Sequence, residues 1–351
     1  MSVLSTDPAA PTSPASPAIS RAGRFYITRE LGRGSIGCVY LGHDPVIGRD
    51  IAIKTFNPRL TPSDRTRFER QFINEARATG RLSHPHIVTI YDASVENGAA
   101  YIAMEYLQGR GLNKVLDSGH RFKPDEVASI VWRIADALNH AHQNEVIHRD
   151  IKPANIFMTR DDQPKLIDFG IARAPNRLAD KFADADDPPT LLHGHNLIGT
   201  PNYMSPEQAS GKPIDERTDI YSLGAVMYEM LVGRKPFHAE SADKLLQQIV
   251  TRAPPAPEEL DRRVPAALSR IVMKAMSKRP EKRYQTAGQM ALDIKRYLLR
   301  ERRARRHMNL ALPPVVQGKP GGRLNGFGRM AWLGYLSLAA AMGIAGFILL
   351  R

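Results

Sequence analysis

Two runs, V-I-H-R-D-I-K-P-A-N-I-F-M at 146–158 and K-L-I-D-F-G at 165–170, bring together residue types that can move a phosphoryl group. Asp150 can accept the proton of a hydroxyl nucleophile. Asn155, five residues on, offers a neutral oxygen to a hard cation, and Asp168 supplies the charged carboxylate that Mg2+ prefers. A divalent ion beside a positioned base suits phosphoryl transfer, whose transition state is stabilised mostly by charge and placement.

Such groups need a phosphate cradle and a sheet to hold it. Arg24 to Leu31 has strand composition and is followed by L-G-R-G-S-I-G-C-V-Y, with Gly32, Gly34 and Gly37 spaced to let a backbone approach a polyphosphate. Dinucleotide-binding folds share this spacing, but there it opens a helix and an acid follows about 20 residues on. Here Val39 to Leu41 continues as strand and Asn57 stands at that distance, which disfavours a dehydrogenase. Asp50 to Phe56 alternates, with Ile51 and Ile53 on one face and Ala52, Lys54 and Phe56 on the other. A lysine on an apolar strand needs a partner. Residues 63–80 read as a helix whose stripe of Phe68, Phe72, Ile73 and Ala76 also carries Glu75. Taken singly, Lys54 and Glu75 are two surface charges.

With the glycine loop, A-I-K, H-R-D-I-K-P-A-N and D-F-G in this order, the chain resembles the Hanks-type protein kinases. D-F-G-I-A-R, G-T-P-N-Y-M-S-P-E-Q and D-I-Y-S-L-G are similar to those of the bacterial serine/threonine members. The resemblance covers about 24–300 and implies an α+β, bilobal fold: a small lobe with a five-stranded sheet, and a larger, mainly helical lobe. By that resemblance Leu31, Gly32, Arg33, Gly34, Ser35 and Gly37 cover the ATP phosphates. Val39 and Ala52 cap the adenine above Phe157, and Met104 precedes a hinge at Glu105–Leu107. Lys54 holds the α- and β-phosphates and pairs with Glu75. Asp150 is the base, Lys152 steadies the γ-phosphate and marks the serine/threonine subclass, and Asn155 and Asp168 hold Mg2+, with Mn2+ as the alternative ion. Thr200 sits beside Asp150 and Lys152, Glu207 pairs with Arg283, and Asp219 braces the catalytic loop.

Arg149 before Asp150 implies docking of a phosphorylated loop residue. Thr190 is the only Ser/Thr between Gly170 and Thr200, so it is the candidate, although an unmodified threonine accounts for it equally well. Protein substrates bearing Ser/Thr, and a homodimer for trans-autophosphorylation, follow from the resemblance. The alternative function is a membrane-tethered pseudokinase that binds nucleotide without turnover. Retention of Lys54, Asp150 and Asp168 weighs against it. A small-molecule phosphotransferase of related fold is disfavoured by the G-T-P and S-P-E segments. Cys38 has only Arg33 nearby to activate it, and His193 and His195 lack a third metal ligand.

At 42% hydrophobic and 24% charged residues, a chain disordered throughout is excluded. A single cysteine forms no internal disulfide, which suits a reducing compartment. Of the formal charge of +13, residues 295–329 carry ten Lys/Arg against Glu301, so the basic character is a local run and no nucleic acid is expected. Residues 1–23 form a Pro/Ser-rich disordered leader without the pattern of a signal peptide. Met330 to Leu350 is uncharged for 21 residues, about 31 Å as a helix, and is expected to cross a membrane once. The cations before it predict a basic juxtamembrane linker over 301–329 that meets anionic lipids. They also orient the kinase domain (lobes about 24–105 and 108–300) into the cytoplasm from the cell inner membrane.

Overall fold

The computed structural model describes residues 21–33, 37–56, 69, 72–74, 76–96, 99–169 and 201–311. The chain divides into two compact units, Met1–Arg302 and Arg303–Arg351; the catalytic candidates lie in the first, and the described residues 303–311 of the second are helical.

Six strands make one sheet: β1 (Arg21–Ala22), β2 (Phe25–Arg33), β3 (Gly37–Asp44), β4 (Arg49–Phe56), β5 (Ile90–Glu96) and β6 (Ala99–Glu105), in the order β1-β2-β3-β4-β6-β5. The expected five-stranded sheet therefore gains a strand, and it begins inside the stretch assigned to the leader. Ala22 pairs with Phe25 across a two-residue turn in which Gly23 has φ +57°. A Cβ on Gly23 would fall 2.1 Å from the Tyr101 hydroxyl, so the turn needs glycine for both conformation and space. The alternation in β4 has its physical cause in the sheet's two faces. Ile51 and Ile53 are buried with Phe25, Tyr101 and Ala103, while the register Val39↔Lys54↔Ile102 and Leu41↔Ala52↔Met104 lines up the opposite face. Residues 72–74 and 76–79 are helical, and Phe72 and Ala76 pack on Ala100 and Ile102.

After residues 106–108 the chain enters a mainly helical lobe with a small second sheet, β7 (Gly109–Gly111), β8 (Ile156–Thr159) and β9 (Pro164–Leu166). Helix Pro124–Gln143 starts with proline at its first turn, and Glu126 accepts a hydrogen bond from the Lys123 amide at 2.8 Å. Helix Arg217–Val232 runs through the core with Tyr221, Leu223, Met227, Tyr228 and Leu231 all buried, as its apolar composition predicts, and ends on Gly233 at φ +75°. The lobes are stitched by main-chain bonds, Leu166 N–H to His86 O (2.8 Å) and Val88 N–H to Leu166 O (2.9 Å).

The last described helix, Ala287–Ala311, continues well into the stretch expected to be linker. Leucine, arginine and alanine are good helix formers, and the first proline comes at Pro313. Among the described residues no helix is long and apolar enough to cross a membrane. The expected span at 330–350 lies outside the described residues, as do all but Arg21–Gly23 of the leader.

Candidate active site

The segment before β8 carries the expected base. Asp150 Oδ2 lies 2.7 Å from Lys152 Nζ and 3.0 Å from Asn155 Nδ2, and Asn155 Nδ2 also donates to the Asp150 carbonyl at 2.8 Å. With its nitrogen directed at Asp150, the Asn155 side chain has its amide oxygen to offer to a cation. Asn155 ends the short 3-10 turn Pro153–Asn155, and its carbonyl accepts from Ile167 N–H at 3.0 Å. That main-chain bond ties Asn155 to the segment bearing Asp168. An amide oxygen and a carboxylate fit a magnesium ion that keeps water and phosphate oxygens as its remaining ligands. Among the described residues no group of three His, Cys, Asp or Glu converges on a metal, so a site built wholly from such protein ligands is not found.

Asp219, fully buried near the start of helix Arg217–Val232, organises this loop. Its Oδ2 accepts from His148 N–H (2.8 Å) and contacts His142 Nε2 (2.9 Å), while its Oδ1 accepts from Arg149 N–H (2.8 Å). Burial works to raise the Asp219 carboxyl, but His142 and the other donors outweigh it and hold the group below the usual carboxylate range. Two positive-φ residues mark the machinery, Arg149 at +66° and Asp168 at +55°. Both are strained conformations that the surrounding bonds must hold. At Arg149 the carbonyl is fixed as well, by Gln208 Nε2 at 2.8 Å.

His148 is buried, and burial lowers its pKa and keeps the ring neutral. Its Nδ1 accepts from Asp150 N–H (3.3 Å), so the proton belongs on Nε2, which donates to Ile167 O at 3.2 Å. The ring thus joins the base-bearing loop to the Asp168 segment and lies 4.6 Å, centroid to centroid, from Phe169.

Across the cleft Lys54 Nζ contacts Asp168 Oδ1 at 2.7 Å, with the Lys54 side chain 15% exposed. Glu75, the expected partner, lies outside the described residues; among the described residues the metal-ligand candidate Asp168 is an acid beside Lys54. Val39, Ala52 and Met104 share the sheet face that carries Lys54. On the other side of the hinge Phe157 sits on β8, opposite Gly111 and Lys165. Glu105 ends β6 and is held by Lys165 Nζ at 2.7 and 2.9 Å, an ion pair no local pattern revealed; Leu107 follows, half-buried. Leu31, Gly32 and Arg33 end β2, and Gly37 opens β3; Gly34 and Ser35 lie outside the described residues. So do Thr190 and Thr200, whereas Arg149 is part of the loop just described. Lys54 and Asp168 also border an apolar cavity lined by Val88, Ile90, Ile102, Met104 and Phe169.

The scaffold pair is direct. Arg283 Nη1 and Nη2 reach the two Glu207 oxygens at 2.6 and 2.7 Å, and Thr218 Oγ1 donates to Glu207 Oε1 at 2.8 Å. Burial works to raise the Glu207 carboxyl, yet the Arg283 hydrogen bonds hold it below its usual range. Sequence reasoning missed His142 as the third donor to Asp219 and Gln208 as the clamp on Arg149. Both stand in unremarkable local sequence, and only the fold brings them there.

Similarity to known proteins agrees with this geometry. The family model for the protein kinase domain matches residues 25–293. A probable serine/threonine-protein kinase of Streptomyces coelicolor, SCO3848, is 39% identical over 278 residues, covering 78% of this chain and 39% of the relative. PrkC, a serine/threonine-protein kinase of Bacillus subtilis, is 37% identical over 274 residues, 78% of this chain and 40% of its own. The chain thus spans about two fifths of the length of these relatives. In the solved kinase domain of Mycobacterium tuberculosis PknI the match has a TM-score of 0.62 at 26% identity, covering 80% of this chain and 99% of that one. With the candidate base, its neighbours Lys152 and Asn155 and the buried Asp219 holding one loop, and the family model spanning the same residues, the chain belongs to the protein kinase domain family, among relatives that are bacterial serine/threonine kinases.

Proposed function

We propose that the protein is an active serine/threonine protein kinase that transfers the γ-phosphate of ATP to Ser/Thr hydroxyls of proteins, its own chain included. The observation that carries this reading is the cluster of Lys152 and Asn155 within 3.0 Å of Asp150 Oδ2. In this reading Asp150 takes the proton of the attacking hydroxyl. Lys152 steadies the transferred group, and Lys54 binds the phosphates bridging to the adenosine. A magnesium ion held by Asn155 and Asp168 would shield the phosphate charge and orient the chain for in-line attack. The hollow beside Asp150, lined by Lys152, Tyr203, Met204 and Gln208, suits the approach of a protein segment bearing the hydroxyl.

Two further parts belong to the proposal. Autophosphorylation of Thr190 between two copies of the chain would give Arg149 a dianion to grip. The uncharged run 330–350 anchors the chain in the cytoplasmic membrane as a single span, with the basic residues before it on anionic lipid and the kinase domain in the cytoplasm.

The test is incorporation of labelled phosphate from ATP and Mg2+ into the full chain, after phosphatase treatment, beside an Asp150→Asn control. Label on Ser/Thr in the wild type alone is the expected result. Wild type that binds ATP yet stays as unlabelled as the control, on itself and on a generic protein substrate, would favour the nucleotide-binding scaffold.

A further inference from the structure

The helix Ala287–Ala311 packs one face into the larger lobe. Met290, Ala291, Ile294 and Tyr297 are buried, the Tyr297 hydroxyl donates to Asp125 Oδ1 at 2.9 Å, and Gly288 N–H donates to Asn139 Oδ1 at 3.0 Å. At about 100° per residue the opposite face centres on Leu292 and Leu299, seven positions apart and so only about 20° out of line. Both leucines are exposed, at 48% and 46%. Lys295, Arg296, Arg300 and Arg302, all exposed, flank them on the two sides. Only Asp293 lies at the edge of this face, and Arg296 Nη1 already meets it at 3.2 Å; Glu301 points to the other side of the helix and is half-buried.

From this arrangement we infer that the outward face of this helix, Leu292 and Leu299 between Lys295, Arg296, Arg300 and Arg302, rests on the surface of an anionic bilayer. The two leucines enter the headgroup region, and the cations meet the lipid phosphates and carboxylates. Exposed leucines framed by cations are the pattern of a helix lying in the membrane interface. Two central leucines would gain nothing from a nucleic acid backbone, which takes the cations alone. In sequence the next cations are Arg303, Arg305 and Arg306, so the charge complementary to anionic lipid continues toward 330–350. This deepens the anchoring reading: a helix mounted on the core by Tyr297 and Gly288 would fix how the domain faces the membrane, where a tether alone leaves it free to turn.

A probe on the full chain tests it. Bimane is attached at Leu292→Cys or Leu299→Cys in a Cys38→Ser background, with exposed Val46→Cys as the reference position. The chain is reconstituted in nanodiscs of phosphatidylcholine with or without phosphatidylserine, and quenching by headgroup-proximal spin-labelled lipid is read. Quenching at 292 and 299 but not at 46, present only with phosphatidylserine and abolished by Lys295→Gln/Arg296→Gln/Arg300→Gln, is the expected result. Because the probe is itself apolar, the same discs are used to compare hydrogen exchange of the lysine- and arginine-bearing surface in the unlabelled wild type and in Leu292→Ser/Leu299→Ser. Slowing with phosphatidylserine in the wild type alone is expected. No quenching in phosphatidylserine discs, equal quenching at position 46, or probes shielded by a protein contact without lipid would overturn the inference. Resistance of the chain to carbonate extraction is scored separately. If the chain is extracted, the anchor has failed; if it stays in the disc while 292 and 299 remain unquenched, only the helix contact has failed.

Discussion

Asp219→Asn isolates what holds the catalytic loop. The substitution keeps shape and removes the charge, but an amide has only one accepting oxygen. Asp219 accepts from His148 N–H and Arg149 N–H through different oxygens, both at 2.8 Å, so either orientation of the amide sets an NH2 against one loop donor. Each bond to a charged acceptor contributes about 1.5–3 kcal/mol, and a buried donor left unmet costs about 1–3 kcal/mol. A net loss of about 2–4 kcal/mol is therefore expected. That is the size of the strain, about 1–3 kcal/mol, in the positive φ of Arg149, so the loop should relax out of its working form in much of the population. Converted at about 1.36 kcal/mol per tenfold, kcat on a protein substrate should fall roughly 30-fold to 900-fold. Tm should drop by about 4–16 °C, using about 2–4 °C per kcal/mol for a domain of this size. KM for ATP should stay close to wild type, because Val39, Ala52 and Met104 belong to the other lobe's sheet. Steady-state kinetics and a thermal melt give all three numbers. His142→Gln is the companion: it keeps a donor near Asp219 Oδ2 and leaves both loop bonds, so kcat should remain near wild type. An Asp219→Asn protein with unchanged kcat and Tm, or one altered in KM alone, would refute the bracing role.

Removing Arg283 strands the buried Glu207 carboxylate; Arg283→Met should cost about 3–5 kcal/mol in urea unfolding, and Glu207→Leu/Arg283→Met should recover most of it. Glu207 and Asp219 both have folded pKa values below their unfolded ones, so their contribution is present above about pH 4.5 and lost as pH falls through the folded values; acid unfolding monitored by circular dichroism should begin at higher pH in Glu207→Gln. Lys278, pushed down to about 8 by burial and then by Arg283, binds fewer protons folded than unfolded between about pH 8 and 10.5. Stability should therefore rise with pH through that window in the wild type, relative to Lys278→Met, in paired melts. Lys54→Met should reduce kcat/KM by about 10²–10³-fold, the usual cost of one lost transition-state contact, and label incorporation measures it.

Whether a residue could be read from the sequence depends on the range over which it is constrained. Asp150, Lys152, Asn155 and Asp168 stand in short runs where chemistry dictates type and spacing; the fold brings the first three within hydrogen-bond distance and ties the segment bearing Asp168 to Asn155 through the Ile167 amide. The alternation of β4 was readable for the same reason: a two-residue period is local, and Ile51 and Ile53 had to find an apolar partner in Phe25 and Tyr101. The sixth strand was not readable, because two residues, Arg21 and Ala22, have no period. Their pairing depends on a glycine turn seated against Tyr101, far along the chain. Nor was the helical continuation to Ala311, since its cations read equally well as a solvated linker. The supporting pairs are harder still. Glu207 and Arg283 are 76 residues apart and came from family resemblance, not from any spacing. His142 meets Asp219 across 77 residues and came from neither. The Lys54 contact makes the same point from inside the site. Here the ammonium meets Asp168 Oδ1 across 114 residues, a contact that neither spacing nor resemblance named; Glu75, the partner the resemblance implies, lies outside the described residues. A carboxylate has room for a lysine on one oxygen and a cation on the other, so the same acid can neutralise Lys54 and still offer a ligand. Chemistry fixes which residue types a site must contain, but the distances between elements decide which of them come into contact.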